Sequence, residues 1–115
     1  MLPKLVSGST VTNHADVVDT LRAMMLRNQA DVVAGAIAAL MTRPDSLPLL
    51  PAIHCPTLIV VGDQDAITPP AMSEEMQRSI PGAELVVIPD AGHMSNMEQP
   101  AAFNRALARF LERRV

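Results

Sequence analysis

The chain has 115 residues, 49% hydrophobic and 18% charged, enough for one domain and too apolar for a disordered segment. Nine basic against twelve acidic residues leave a formal charge of −3, which excludes the basic footprint of a nucleic-acid binder. The lone cysteine, Cys55, excludes an internal disulfide, and no apolar run approaches the roughly 20 residues of a membrane helix.

The opening residues Met1-Leu2-Pro3-Lys4-Leu5-Val6 lack a cleavable leader pattern, so a cytoplasmic domain is expected. Phe103 and Phe110 are the only aromatics, beside eight methionines. The core must therefore be aliphatic, which argues against stacking platforms for bases or sugars.

Residues 1–46 read as helical. Val17, Val18, Leu21, Met24 and Met25 recur on one face of a helix over residues 13–26. Thr12 or Asn13 is the expected cap. Val32, Val33, Ala36, Ile37, Leu40 and Met41 mark a second helix from Ala30 to Thr42, ended by Pro44. Residues 47–55 are a proline-rich connector.

From residue 56 the period changes. Thr57–Val61 and Leu85–Ile88 are continuous, largely β-branched runs, expected as parallel strands covered on both faces. The helix between them is expected to be capped by Thr68, with Pro69 in its first turn and Met72, Met76 and Ile80 facing inward. The unit is βαβ, with a right-handed crossover. A last helix starts near Pro100 and buries Phe103, Ala106, Leu107, Phe110 and Leu111. Its arginines form a solvated face. Ser95 and Glu98 have capping-box spacing.

Sites in an open parallel sheet form beyond the carboxyl ends of the strands. The first strand exits into Gly62-Asp63-Gln64-Asp65 and the second into Pro89-Asp90-Ala91-Gly92-His93. Neighbouring strands lie about 4.8 Å apart, so the two loops can bring the Asp65 carboxylate to the His93 imidazole. Such a pair is two thirds of a hydrolytic triad. Asp63 and Asp90 read as turn residues. Cys55 and His54 precede the first strand, about 16 Å of strand away from His93. They are read, with His14, as packing or surface residues. Asp63-Gln64-Asp65 also has the outline of a metal-dependent D-x-D site. That chemistry needs a carboxylate directly at the strand end and a later lysine, whereas Gly62 intervenes and Lys4 is the only lysine.

The segments Pro56–Asp65, Thr68-Pro69-Pro70, Ile88–His93 and Glu98-Gln99-Pro100 resemble the C-terminal part of α/β-hydrolase-fold enzymes, and within them small esterases and enol-lactonases. The resemblance implies an α/β fold: the last two parallel strands of a hydrolase core with flanking helices, over residues 56–115. Residues 1–46 resemble the end of that family's cap. It implies Asp65 as the acid and His93 as the general base of a Ser-His-Asp triad that hydrolyses a small ester, lactone or related acyl bond. No cofactor or metal is implied. The family's serine sits on an earlier G-x-S-x-G elbow, a motif these 115 residues do not contain. The expected partners are a small acyl substrate and either a second copy or a complementing chain. The alternative is a non-catalytic hydrolase module that serves in association.

Overall fold

The computed structural model describes residues 2–114. Met1 and Val115, the outermost residues of the expected 1–46 and 56–115 segments, lie outside it. Four helices come first: α1 (Leu2–Leu5), α2 (Gly8–Asn13), α3 (Ala15–Leu26) and α4 (Ala30–Thr42). A 3₁₀ segment at Leu47–Ala52 follows. Then come β1 (Leu58–Gly62), α5 (Pro70–Ser79), β2 (Glu84–Ile88), α6 (Ser95–Glu98) and α7 (Pro100–Arg114).

Among the described residues the sheet has two strands. They run parallel, Leu58 opposite Glu84 and Gly62 opposite Ile88. The ladder is continued at both ends, where Glu84 N–H donates to Thr57 and Asp63 N–H to Ile88. Parallel neighbours need a crossover connection, and α5 supplies it.

Several local expectations are corrected. The predicted helix from residue 13 is interrupted at His14, whose φ of −131° and ψ of 60° are not helical. Thr12 and Asn13 therefore belong to α2, and His14 opens α3 without a side-chain cap. The cap in this region is Ser7, whose hydroxyl accepts from Thr10 N–H at 3.2 Å. Thr68 does not cap α5, which begins at Pro70 after Pro69. Nor do Ser95 and Glu98 form a capping box: Ser95 is already helical, and Glu98 points elsewhere. Arg113 is not simply solvated, because its guanidinium meets Glu84 Oε1 at 2.8 Å.

The core is small. Ile59, Val61 and Ile88 of the strands are buried, with Ile80 before β2 and Ala91 after it; Val6 and Leu21 are the buried apolar residues of the N-terminal part. The strands are not covered on both faces. β1 buries Ile59 and Val61, while Val87 of β2 is 43% exposed. Of the methionines expected inside, Met72 is 52% exposed. No residue of α4 or α7 is fully buried. Two strands offer too little surface for the apolar faces that surround them. Among the described residues no helix is long and apolar enough to cross a membrane.

Candidate active site

The carboxyl ends of β1 and β2 open side by side. Beyond β1 the chain turns at Gly62–Asp65, with Asp65 N–H donating to Gly62. Beyond β2 it turns at Asp90, whose φ of 55° is left-handed. Asparagine and aspartate tolerate that conformation best after glycine. The two turns are stitched together: Gln64 N–H donates to the Ala91 carbonyl at 2.8 Å, and Ala91 N–H to Asp63 Oδ1 at 3.3 Å. Asp63 is thus a turn residue, as its position predicts.

This stitching brings Asp65 and His93 together, with Oδ2 at 3.0 Å from Nδ1. The Asp65 side chain is 5% exposed and that of His93 36%. Asp65 is also fixed from its own loop. Oδ1 accepts the N–H groups of Ile67 and Thr68, each at 3.0 Å. Oδ2 accepts the Thr68 hydroxyl at 3.0 Å. Burial pushes the Asp65 carboxyl up. The N–H of Thr68, the His93 ring, the Thr68 hydroxyl and the N–H of Ile67 outweigh burial and hold it below its ordinary value.

The tautomer follows from this proton count. Thr68 has one hydroxyl proton and gives it to Asp65. Its oxygen lies 3.3 Å from His93 Nδ1 and can only accept there. An ionised Asp65 accepts too. Nδ1 therefore carries the ring proton, and Nε2 is left with a free lone pair on a part-exposed ring. Such an imidazole can take a proton at Nε2, and the carboxylate behind it stabilises the cation that forms.

Cys55, His54 and His14 are exposed and outside this cluster. Sequence reasoning missed four participants. Position alone makes Thr68 a helix cap. Ser7, Thr10 and Glu98 were not connected to the site at all. Glu98 is 4% exposed and accepts Ser7 N–H at 2.6 Å, the Thr10 hydroxyl at 2.8 Å and Gly92 N–H at 2.9 Å. A signal was present in part, since Ser7-x-x-Thr10 has the spacing of a helix start.

A family model described as the alpha/beta hydrolase fold matches residues 5–100. A pimeloyl-[acyl-carrier protein] methyl ester esterase of Neisseria meningitidis is 40% identical over 70 residues, 61% of this chain and 27% of that protein. A 3-oxoadipate enol-lactonase of Acinetobacter baylyi is 31% identical over 90% of this chain and 38% of its own length. Among solved structures, a thermophilic esterase from Thermogutta terrifontis superposes with a TM-score of 0.94 at 46% identity. It covers 98% of this chain, which spans 42% of it. The enol-lactonase from Burkholderia xenovorans superposes with a TM-score of 0.89 at 28% identity, over 96% of this chain and 42% of its own. The chain thus spans well under half of these relatives. With the family match over most of its length, and a parallel β-α-β unit whose turns meet as described, the chain belongs to the α/β-hydrolase-fold family.

Proposed function

We propose that this chain supplies the acid and base of a Ser-His-Asp triad that hydrolyses a small ester, lactone or related acyl bond. The observation that carries the reading is the 3.0 Å pair of Asp65 Oδ2 and His93 Nδ1 at the carboxyl ends of the two strands. The esterase and enol-lactonase relatives support the bond class. In the reaction a serine oxygen attacks the acyl carbon while His93 Nε2 takes its proton. The same proton goes to the leaving oxygen as the acyl bond breaks. Water then repeats the cycle on the acyl-enzyme. Asp65 stays ionised and holds the ring. Residues 1–46 serve as part of a cap, 47–55 as a connector and 56–115 as part of the core.

The serine comes from another polypeptide segment, because these 115 residues hold no G-x-S-x-G elbow. The open surface supports a need for partners. The accessible area is 7747 Å², against about 6,100 Å² for a compact chain of this mass. The radius of gyration is 15.8 Å, against about 13 Å. The covering surface is a complementing hydrolase half or a second copy of this chain.

The test is a hybrid in which this chain replaces the matching 42% of the Thermogutta terrifontis esterase. The hybrid is expected to hydrolyse p-nitrophenyl acetate, and the chain alone only at the background rate of free imidazole. Loss of several orders of magnitude in His93→Ala and Asp65→Asn hybrids supports the triad. Near-normal turnover in a folded His93→Ala hybrid refutes it. Saturable turnover by the chain alone, unaffected by Cys55→Ala, would reveal a nucleophile of its own.

A further inference from the structure

The loop that carries His93 lies between two layers of backbone. On one side is the end of β1: a side-chain carbon on Gly62 would collide with the carbonyls of Ala91 and Gly92. On the other is the segment before α2. A side-chain carbon on Gly92 would stand 2.8 Å from the Val6 carbonyl carbon and 2.9 Å from Ser7 N. Both glycines are needed for this stack, and in both cases the obstacle is backbone that has no rotamer to yield.

The outer layer is bonded on either side of the histidine. Met94 N–H donates to the Leu5 carbonyl at 3.0 Å. Gly92 N–H donates to Glu98 Oε2, while Glu98 Oε1 receives the Ser7 N–H and the Thr10 hydroxyl. The Ser7 hydroxyl reaches the Asp90 carbonyl at 3.3 Å. A buried carboxylate without donors would be costly; here each oxygen has donors, and they come from two distant parts of the chain. Residues 92 and 94 are therefore held, and residue 93 with them.

We propose that Glu98 is a positioning residue for His93: its two carboxylate oxygens clamp the histidine loop to the Leu5–Thr10 segment and thereby fix the imidazole at Asp65. The proposal rests on the reading of Asp65 and His93 as acid and base. Glutamine at this position keeps the shape but replaces one acceptor with a donor. That amide group must face either Gly92 N–H or the Ser7 and Thr10 donors, so one arm of the clamp is released.

The test uses the hybrid enzyme. Glu98→Gln is expected to lower kcat about tenfold, the scale of a modest misplacement of a catalytic group, with KM little changed and the hybrid still melting cooperatively. The downfield proton resonance of His93 Nδ1 is expected to weaken or broaden. A merely structural role would alter the melting temperature and leave that resonance and the kcat of the folded enzyme unmoved. Unchanged kcat in folded Glu98→Gln, while His93→Ala is inactive, overturns the clamp and spares the triad. Activity in His93→Ala overturns the triad reading; an unchanged Nδ1 resonance in Glu98→Gln then also overturns the clamp. Should Glu98→Gln fail to fold, Thr10→Val decides. It deletes one donor and keeps both backbone bonds, and kcat is expected to fall about threefold, the effect of one hydrogen bond. Unchanged kcat there overturns the proposal.

Discussion

The Thr68 hydroxyl donates to Asp65 Oδ2 at 3.0 Å, and the helix that Thr68 was expected to cap starts two residues later. The residue holds the Asp65 carboxylate instead. Its N–H holds Oδ1 and its hydroxyl holds Oδ2, so both oxygens are oriented independently of the His93 bond.

Thr68→Val keeps the backbone bond and the side-chain shape and removes the hydroxyl. In the hybrid enzyme kcat is expected to fall roughly three- to tenfold, as for one lost hydrogen bond, and Thr68→Ser to stay near the parent. Steady-state kinetics of both variants check this. Equal activity in valine and serine variants would leave the hydroxyl without a role.

The pH dependence of stability follows from the sign of the Asp65 shift. Its carboxyl is held below the ordinary value of 3.8 in the folded chain. It therefore contributes stability that is complete above that value and lost as pH falls through the lower folded one. Asp65→Asn is expected to melt below the parent at pH 6 and 7, with the gap closing under acid conditions below about pH 3.8. Thermal melts from neutral to strongly acid pH measure it. A gap independent of pH would show that charge is not what Asp65 contributes.

Two glycines should respond in opposite directions to the same change. Gly92→Ala drives a methyl group into the Val6–Ser7 backbone and is expected to destabilise by about 1–3 kcal/mol, the range for overpacking. Gly35 lies inside α4 with open space around it. Gly35→Ala is expected to stabilise by about 1 kcal/mol through helix propensity. Urea titration of the two variants distinguishes them, and a stable Gly92→Ala would disprove the tight stack at the histidine loop.

The proposed association has its own readout. Val32, Ile37, Leu40 and Met41 of α4 are between 43% and 80% exposed, a stripe that water does not favour. Sedimentation of the isolated chain at micromolar concentration is expected to give a mass above 12.3 kDa. Ile37→Glu is expected to shift it toward the monomer. A well-folded monomer whose unfolding is independent of concentration would refute association.

Much of the fold is written locally. The β-branched runs ending at Val61 and Ile88, the 3.6-residue stripes of α4 and α7 and the turn chemistry of Gly62–Asp65 and Asp90–Gly92 are properties of short windows, and they place Asp65 and His93 at the same end of the sheet. Parallel pairing then brings the two loops together almost of necessity. What periodicity records is which face of an element is apolar. It does not record what covers that face, so Met72, Val87 and the α4 stripe were expected inside and lie exposed. Nor can a window of ten residues reveal a bond between residues 91 apart. Glu98 had the spacing of a local cap, but the approach of Ser7 and Thr10 turned its carboxylate inward. Local pattern suffices for the two strands, for α4, α5 and α7 and for the meeting of Asp65 with His93, but not for the break at His14 or for α6. Tertiary packing alone decided how the histidine loop is held, because backbone donors from distant segments converge on one buried carboxylate only after the chain has closed.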